Sequence, residues 1–277
     1  MSRIGFIQGR LSPIVDGKIQ AFPWHFWQQE FAIGAEHDWH VMEWTLDQDR
    51  LSESPLMTSQ GQQEIKRLCA EYNFTIPSLT GDCFMQAPFY KMKGIEREQL
   101  MDDFRRIIDA SAEIGVEMIV VPLVDNGSLE TTEQEEALLE GLADVDAQLR
   151  DTNQKIVFES DFAPEELTAF IQKLDKTTYG INYDIGNSAA LGFDFRQELS
   201  TYSDRIINVH VKDRVLGGTT VPLGEGAADL AGVLQLLKEN GYTGNYILQT
   251  ARATDDDHVA AINCYRKQVC NWLDERL

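Results

Sequence analysis

The chain has 277 residues, of which 43% are hydrophobic and 25% are charged, and its formal net charge is −21. These proportions are those of an ordinary globular protein, and the length is close to that of a single eight-fold βα barrel. The acidic balance argues against a nucleic-acid partner, because phosphate backbones are bound by clustered lysine and arginine side chains. A small phosphorylated molecule needs only a few basic groups and stays compatible with this charge.

Two further observations predict a cytoplasmic location. The N-terminal residues lead directly into the apolar run Arg3–Ile7 without a signal-type segment, and no apolar run approaches the length of a membrane span. The four cysteines, Cys69, Cys83, Cys264 and Cys270, have no CxxC spacing and are typical of reduced thiols. We therefore expect no membrane partner and no disulfide framework.

Short apolar runs alternate with amphipathic segments along the whole chain. Met101, Phe104 and Ile108 lie on one face of the clearest amphipathic segment, and three later segments repeat this helical spacing. Eight strand–helix units in this order predict a parallel sheet, and eight strands favour closure into a (β/α)8 TIM barrel. We expect residues 1–277 to form one domain, because no linker rich in proline, glycine or serine divides them. The predicted strands are Arg3–Gln8, His40–Thr45, Thr75–Leu79, Met118–Pro122, Lys155–Glu159, Tyr179–Asp184, Ile206–Val211 and Tyr246–Gln249.

Two long loops interrupt the alternation. The first extends from Gln8 to Trp24, and the second extends from Asp213 to Asp229 and contains the glycine-rich stretch 224–226. Long loops at one rim of a barrel usually build the substrate pocket, and their glycines let backbone amides approach a ligand closely. The same glycines are also compatible with simple turns. Asp and Thr residues at 254–257 are predicted to cap the last helix.

Four of the predicted strands end in a side chain that can bind a metal ion: Glu159, Asp184, His210 and Gln249. Since the carboxyl ends of parallel strands meet at one rim of a barrel, these side chains should converge. Two carboxylates, an imidazole and a carbonyl oxygen suit a divalent cation. Each residue taken alone is more often a helix cap, an ion-pair partner or a structural histidine, so the prediction depends on the joint pattern.

Alternation along the seventh strand predicts that Asn208, His210 and Lys212 face the same side, toward the pocket. Lys212 would then either bind a phosphate or hydroxyl of the substrate or form an ion pair at the rim of the barrel. Glu43, on the second strand, is also expected to face inward. The alternative for Glu43 is a cap or an ion pair with Arg10.

Three stretches carry a resemblance to a known family: Asp184–Gly192 (DIGNSAALG), His210–Asp213 (HVKD) and Val221–Gly226 (VPLGEG). At these residues the chain resembles the xylose-isomerase-like barrel superfamily of sugar isomerases and epimerases. Within it, the chain is most similar to the branch of L-ribulose-5-phosphate or L-xylulose-5-phosphate 3-epimerases, which includes hexulose-6-phosphate isomerase-like proteins. The resemblance covers essentially the whole chain and implies a barrel that acts on a ketose or a ketose phosphate.

The resemblance also implies one divalent metal ion (Mn, Zn, Co or Mg), held by Glu159, Asp184, His210 and Gln249. The two implied catalytic positions are Glu159 and Gln249, which would take and return a substrate proton through an enediolate. Side chains predicted to contact the substrate are Lys212, Arg10, Glu43, Asn187, Glu225 and Arg252. We expect the partner to be a small carbohydrate or sugar phosphate. The aromatic run 22–27 is compatible with a homo-oligomer interface, a pocket wall or a seam between helix and barrel.

Gln249 departs from the family pattern, in which this position is a glutamate. A glutamine oxygen can still bind a metal weakly, but an amide cannot serve as a proton base at neutral pH. Either another group takes the role, or the reaction is an aldose–ketose isomerisation or the loss of a β-hydroxyl. A barrel that binds carbohydrate without catalysis is the alternative. The candidates for the replacement group are Glu43, Asp82, Lys212, Glu225 and His258.

Overall fold

Eight parallel strands close into a barrel in the computed structural model, which describes residues 3–274. Each strand pairs with its neighbours in chain order, and the first pairs with the last. The predicted (β/α)8 TIM barrel is confirmed, and every predicted strand matches an observed strand to within one residue at either end. The strands are β1 (Arg3–Ile7), β2 (Val41–Thr45), β3 (Thr75–Thr80), β4 (Met118–Leu123), β5 (Lys155–Ser160), β6 (Tyr179–Asp184), β7 (Ile206–Val211) and β8 (Asn245–Leu248).

Helices connect the strands on the outside of the barrel. They are α1 (Gln29–Glu36), α2 (Ser59–Tyr72), α3 (Asp82–Gln86), α4 (Gly94–Glu113), α5 (Thr132–Asp151), α6 (Pro164–Ile171), α7 (Ile185–Leu191), α8 (Phe195–Tyr202), α9 (Leu230–Glu239) and α10 (His258–Trp272). Short 3-10 turns cover Leu51–Glu53, Pro55–Met57, Phe89–Lys91, Asp125–Gly127 and Ser203–Arg205. A two-stranded antiparallel hairpin, Asp213–Arg214 with Thr220–Val221, follows β7. Among residues 3–274 no helix combines the length and apolar character of a membrane span.

Polar side chains determine where several helices begin. The carboxylate of Asp257 accepts a hydrogen bond from the amide of Ala260, which confirms the predicted cap of α10. Thr131 caps α5 in the same way, through the amide of Gln134. Such caps satisfy amides that have no partner within the helix and contribute about 1 kcal/mol each.

Alternation along the strands divides the buried residues into two sets. On β6, Ile181 and Tyr183 face the helices and join the main apolar core, whereas Asn182 and Asp184 face the barrel axis. Apolar burial against the helices stabilises the fold by about 1.5–3 kcal/mol for each large side chain.

The barrel interior is itself layered. Met118, Val120 and Val157 form a small apolar cluster toward the amino ends of the strands. Above it, toward the carboxyl ends, lies a layer of polar side chains that face the barrel interior. They are Glu43, Ser78, Thr80, Asn182, Asn208 and His210, and all are buried. A polar layer of this kind is stable only when its members satisfy one another, so its hydrogen bonds define the geometry of the site above it.

Candidate metal centre

Three of the four predicted metal-binding side chains meet at the carboxyl end of the barrel. Glu159, Asp184 and His210 each offer one donor atom, and these atoms lie within 4.8 Å of one another. Nδ1 of His210 lies 3.1 Å from Oε2 of Glu159 and 4.0 Å from Oδ2 of Asp184. The parallel pairing of β5, β6 and β7 aligns the ends of these strands and so brings the three side chains together.

Glu43 holds the other nitrogen of the imidazole ring. Nε2 of His210 lies 2.7 Å from Oε1 of Glu43, and both side chains are fully buried. Glu43 also accepts hydrogen bonds from the hydroxyls of Ser78 and Thr80 and from Nδ2 of Asn208. The ring is therefore oriented with Nε2 toward Glu43 and Nδ1 toward the carboxylates of the cluster.

This placement changes the interpretation of Glu43. The predicted ion pair with Arg10 is wrong, because the guanidinium of Arg10 donates instead to the carbonyls of Thr250 and Ile19. Glu43 also has no surface for the predicted contact with a substrate, since it lies beneath His210 and is fully buried. Its position indicates a role in orienting the imidazole.

The electrostatics of the buried cluster follow from its acidic surroundings. Burial lowers the pKa of His210, but Glu43 and Glu159 outweigh this effect and raise it to about 10. Burial also raises the pKa of Glu159, yet His210 and Lys212 more than compensate and hold it below its ordinary value. Glu159 is thus an ionised carboxylate, the protonation state that both a metal ligand and a base require.

Two amides position Glu159. Nδ2 of Asn187 donates to Oε1 at 2.6 Å, and Nδ2 of Asn182 donates to Oε2 at 3.1 Å. Asn187 is held in turn by Arg214, whose Nη1 donates to Oδ1 of Asn187 at 2.8 Å. Asn187 was predicted to contact the substrate, and in this structure its side chain is committed to Glu159 and Arg214. Asn182 escaped the sequence analysis, although it precedes Asp184 by two residues and therefore faces the same side of β6.

Lys212 connects Gln249 to the cluster. Its Nζ atom donates to Oε1 of Gln249 at 3.0 Å and to Oδ2 of Asp184 at 3.2 Å. Of the two predicted alternatives for Lys212, the structure contains the ion pair at the rim. Gln249 directly follows β8, and its amide oxygen is linked to Asp184 through the ammonium group of Lys212.

Arg10 and Arg252 bring two positive charges to the rim between β1 and β8. Arg252 donates to the backbone carbonyls of Gly9 and Ser12, and Arg10 donates through Nε to the carbonyl of Thr250 at 3.0 Å. Neither forms an ion pair with another residue in the described range 3–274. Burial, followed by repulsion from Arg252, lowers the pKa of Arg10 to about 9, so it is still cationic at neutral pH.

The first loop is also held by Glu30, on α1, which the sequence analysis did not identify. Its carboxylate accepts hydrogen bonds from the amide of Gly9 at 2.9 and 3.0 Å and from the amide of Leu11 at 2.9 Å. Glu30 is completely buried. The backbone beside Arg10 is thereby tied to the outer helix.

The second long loop is organised by Asp213. Its carboxylate accepts hydrogen bonds from the amides of Gly224 and Gly226 at 2.9 Å and from the amide of Ala228 at 3.2 Å. Asp213 is fully buried, whereas Glu225 lies exposed at the tip of the loop. The loop is thus a fixed wall of the site, and the substrate contact of Glu225 stays a prediction.

The aromatic run 22–27 forms part of a cavity of about 800 Å³ beside the barrel mouth. Phe22 is buried against Trp44, whereas the rings of Trp24 and Phe26 line the cavity. Asp47 accepts hydrogen bonds there from the amide of Phe22 at 2.9 Å and from Gln86 at 2.8 Å. The first loop and α3 are therefore joined along one side of the mouth.

The donor set fits a divalent cation. Carboxylate oxygens and an imidazole nitrogen are the ligands that zinc and manganese share, and the amide oxygen of Gln249 lies beside them. Metal-binding histidines commonly donate their second ring N–H to a carboxylate, which is the arrangement of His210 and Glu43. A cation at this position would be held by Glu159, Asp184 and His210, with Gln249 as the additional oxygen donor.

A family profile described as xylose isomerase-like TIM barrel matches residues 31–274. The L-ribulose-5-phosphate 3-epimerase UlaE of Shigella flexneri serotype 5b (strain 8401) is 22% identical over 259 residues, which cover 91% of this chain and 90% of that protein. Among solved structures, the IolI protein with a binding zinc atom has a TM-score of 0.77 at 16% identity, with 98% of each chain covered. The D-allulose 3-epimerase from Methylomonas sp. in complex with D-allulose has a TM-score of 0.73 at 14% identity, covering 97% of this chain and 98% of that one.

These comparisons agree with the closed barrel. At such low identities the solved structures establish the fold alone. The family profile extends over most of the chain, from α1 to the end of the described residues. The chain belongs to the xylose isomerase-like TIM barrel family.

Proposed function

We propose that the protein is a divalent-metal-dependent isomerase or epimerase that acts on a ketose, or on its phosphate ester, through an enediolate. The observation that carries this proposal is the buried cluster of Glu159, Asp184 and His210, with Gln249 beside it. A cation bound there would polarise the carbonyl and a neighbouring hydroxyl of a sugar, which makes the adjacent carbon more acidic. The similarity to proteins named as L-ribulose-5-phosphate 3-epimerase and D-allulose 3-epimerase supports the substrate class.

Glu159 is the proposed base. Its carboxylate would accept the proton from the carbon next to the carbonyl, and the electrons of that C–H bond would form the enediolate. Asn182 and Asn187 hold both oxygens of Glu159, which limits its rotation and aims it into the barrel mouth. A base of fixed orientation reaches the reactive geometry with little loss of entropy.

Arg10 and Arg252 are proposed to contact the substrate, together with Lys212 at the rim. The guanidinium groups bring positive charge to a protein of net charge −21 and have no acidic ion-pair partner among residues 3–274. An anionic group on the sugar, such as a phosphate, would compensate this charge. We retain a cytoplasmic location and a homo-oligomer as predictions.

Proton exchange followed by NMR tests the proposal. The protein, reloaded separately with manganese, zinc, cobalt or magnesium, would be incubated in D2O with L-ribulose 5-phosphate, D-allulose and a panel of other ketoses. Deuterium should enter at the carbon beside the carbonyl, and the labelled carbon and the product would separate isomerisation from epimerisation. Binding of metal and sugar without exchange on any panel member would overturn the proposal in favour of a non-catalytic barrel or a dehydratase-like reaction.

A further inference from the structure

The carboxyl group of Asp82 lies at the mouth of the barrel, at the end of β3. Alternation along β3 sends Ser78 and Thr80 toward the axis, where both hydroxyls bind Glu43. Asp82 follows β3 across Gly81 and is the first residue of α3, where it interacts electrostatically with Glu159, Lys212 and His210. Its exposed fraction is 9%, so the carboxyl group is largely shielded from bulk water but is not sealed into the core.

Asp82 differs from the other acidic side chains at this end of the barrel. Glu43, Glu159 and Asp184 each accept hydrogen bonds from neighbouring side chains or amides. The carboxylate of Asp82 has no hydrogen-bond or ion-pair partner among residues 3–274, although it interacts electrostatically with Glu159 and Lys212. A buried carboxyl group without a partner is costly, and such groups are concentrated at functional sites.

The strand order places this group on a different wall of the mouth from each member of the cluster. Around the barrel β3 is four steps from β7 and two steps from β5, so Asp82 stands opposite His210 and a quarter of the circumference away from Glu159. A sugar bound beside Glu159, Asp184 and His210 would therefore lie between the cluster and Asp82. This is the position from which a second group can reach a substrate carbon that Glu159 approaches from another side.

The other candidates for the proton-transfer role that Gln249 cannot perform are less well placed than Asp82. Glu43 is sealed beneath His210, and Glu225 is exposed at the tip of its loop. Lys212 is committed to Asp184 and Gln249. The remaining candidate, His258, accepts a hydrogen bond through Nδ1 from the amide of Ala253 and stabilises the turn before α10.

We infer that Asp82 is the second acid–base residue of the reaction, which makes the protein an epimerase whose two proton-transfer groups are Glu159 and Asp82. The inference rests on the proposed function. Glu159 removes the proton from the carbon beside the carbonyl, and the C–H electron pair becomes part of the enediolate. The carboxylic acid of Asp82 then gives its proton to the opposite face of the same carbon. The substrate loses one proton and gains one, Glu159 ends protonated, Asp82 ends ionised, and both return to their starting states through exchange with water.

The protonation state of Asp82 suits this role. Burial, together with the neighbouring charges of Asp47 and Glu159, raises the pKa of Asp82 to about 8, against the opposing effects of Lys212 and His210. The charge of Arg10 faces the same carboxyl group. The surroundings of Asp82 therefore favour its acid form, and epimerisation in this direction should decline at high pH.

The decisive experiment compares the unchanged protein with the Asp82→Asn variant in D2O, with L-ribulose 5-phosphate and D-allulose as probes. Asparagine preserves the shape of the side chain but cannot donate a proton to carbon. The variant should still exchange deuterium into the starting ketose, because Glu159 and the metal ligands are intact. Formation of the epimer should fall by about a hundredfold or more.

The Asp47→Asn variant is the matched control, because Asp47 is a neighbouring carboxylate on the same side of the mouth. Asp47→Asn should still form the epimer. The decline of its epimerisation rate should begin at a lower pH, because the variant lacks the negative charge of Asp47, which raises the pKa of Asp82. Two results would overturn the inference. One is unchanged epimerisation in Asp82→Asn, and the other is complete loss of deuterium exchange in an Asp82→Asn variant whose unfolding temperature equals that of the unchanged protein. Absence of exchange in the unchanged protein would overturn the proposed function itself, and this inference with it.

Discussion

Nε2 of His210 lies 2.7 Å from Oε1 of Glu43, although the two residues stand on strands three steps apart around the barrel. The contact crosses the interior instead of following the sheet, and Asn208 supports it from beneath through a 3.0 Å hydrogen bond to the other oxygen of Glu43. It selects the ring nitrogen that faces Glu159 and Asp184. The first prediction follows from this relationship.

Replacing Glu43 with glutamine should weaken metal binding. The amide of Glu43→Gln cannot stabilise the Nε2–H tautomer of His210 as a carboxylate does, so the ring would lose its fixed orientation. We expect metal affinity to fall by about 10- to 100-fold. Competition with a chromogenic chelator at constant pH would measure the change.

Glu198→Gln provides the control for that experiment. Glu198 is also a buried carboxylate, but it accepts hydrogen bonds from Tyr183, Ser188 and Tyr202 and not from His210. This variant should lose stability while its metal affinity stays within about twofold of the unchanged protein. Equal losses of metal affinity in both variants would contradict the role assigned to Glu43.

Replacing Gln249 with glutamate should strengthen metal binding. Gln249→Glu adds a negative charge where Lys212 now donates to the amide oxygen, 3.0 Å away. A carboxylate is a better ligand than an amide for a hard or borderline cation, so we expect an increase in affinity of about tenfold or more. Isothermal titration with manganese would show it, and an unchanged or lower affinity would place Gln249 outside the metal's ligand set.

Replacing Glu159 with glutamine should abolish proton exchange while leaving the barrel folded. Glu159→Gln keeps an oxygen that can accept from Asn187 but removes the basic carboxylate. The rate of deuterium incorporation should fall by about a thousandfold, the size of a lost general base. NMR would measure the exchange and circular dichroism would verify the fold. Full activity in this variant would exclude Glu159 as the base.

The stability of the protein should depend on the ionisation of Glu30. Burial raises the pKa of Glu30 to about 7, despite the amide donors of Gly9 and Leu11. The folded chain therefore holds this proton more tightly than the unfolded chain does, and the free energy of unfolding decreases as pH rises from about 4.5 to about 7. The contribution is at most about 3 kcal/mol, and it is fully lost above that range.

Urea denaturation of the unchanged protein and of Glu30→Gln, at about pH 5 and about pH 8, would isolate this contribution. Glutamine does not ionise, so the variant should show a smaller decrease in stability between the two conditions. The variant should also be less stable overall, because its amide group cannot accept hydrogen bonds at every position that the carboxylate does. Identical pH dependence in both proteins would show that Glu30 does not titrate in this range.

Replacing Asp213 with asparagine should loosen the second long loop. Asp213→Asn presents one oxygen to three amide donors, those of Gly224, Gly226 and Ala228. Hydrogen exchange in residues 222–228 should accelerate by about tenfold or more, since each unpaired buried amide costs about 1–3 kcal/mol. Asp229→Asn is the control, because asparagine caps a helix as well as aspartate does. Equal acceleration in both variants would argue against the anchoring role of Asp213.

The strand positions and the strand-end residues could be predicted from sequence because both depend on local periodicity. Apolar runs locate the strands, and parallel pairing then brings Glu159, Asp184 and His210 together without further information. The partners of these residues could not be predicted in the same way. Glu43 reaches His210 across the barrel interior, and this contact depends on the closure and stagger of eight strands. Asn187 and Arg214 meet through the fold of a loop whose path no short pattern specifies.

The hydrogen bonds between the first long loop and the residues after β8 have a consequence for how the protein folds during synthesis. Arg252 and the carbonyl of Thr250, just after β8, hold the loop that contains Gly9 and Arg10. Gly9 and Arg252 are separated by 243 residues along the chain, and Arg10 and Thr250 by 240. These contacts of the loop can therefore form only after nearly all of the barrel strands have been synthesised. A nascent chain arrested before β8 would carry the first seven strands and the Glu30 anchor of the loop, but Arg10 would lack its partner carbonyl on Thr250.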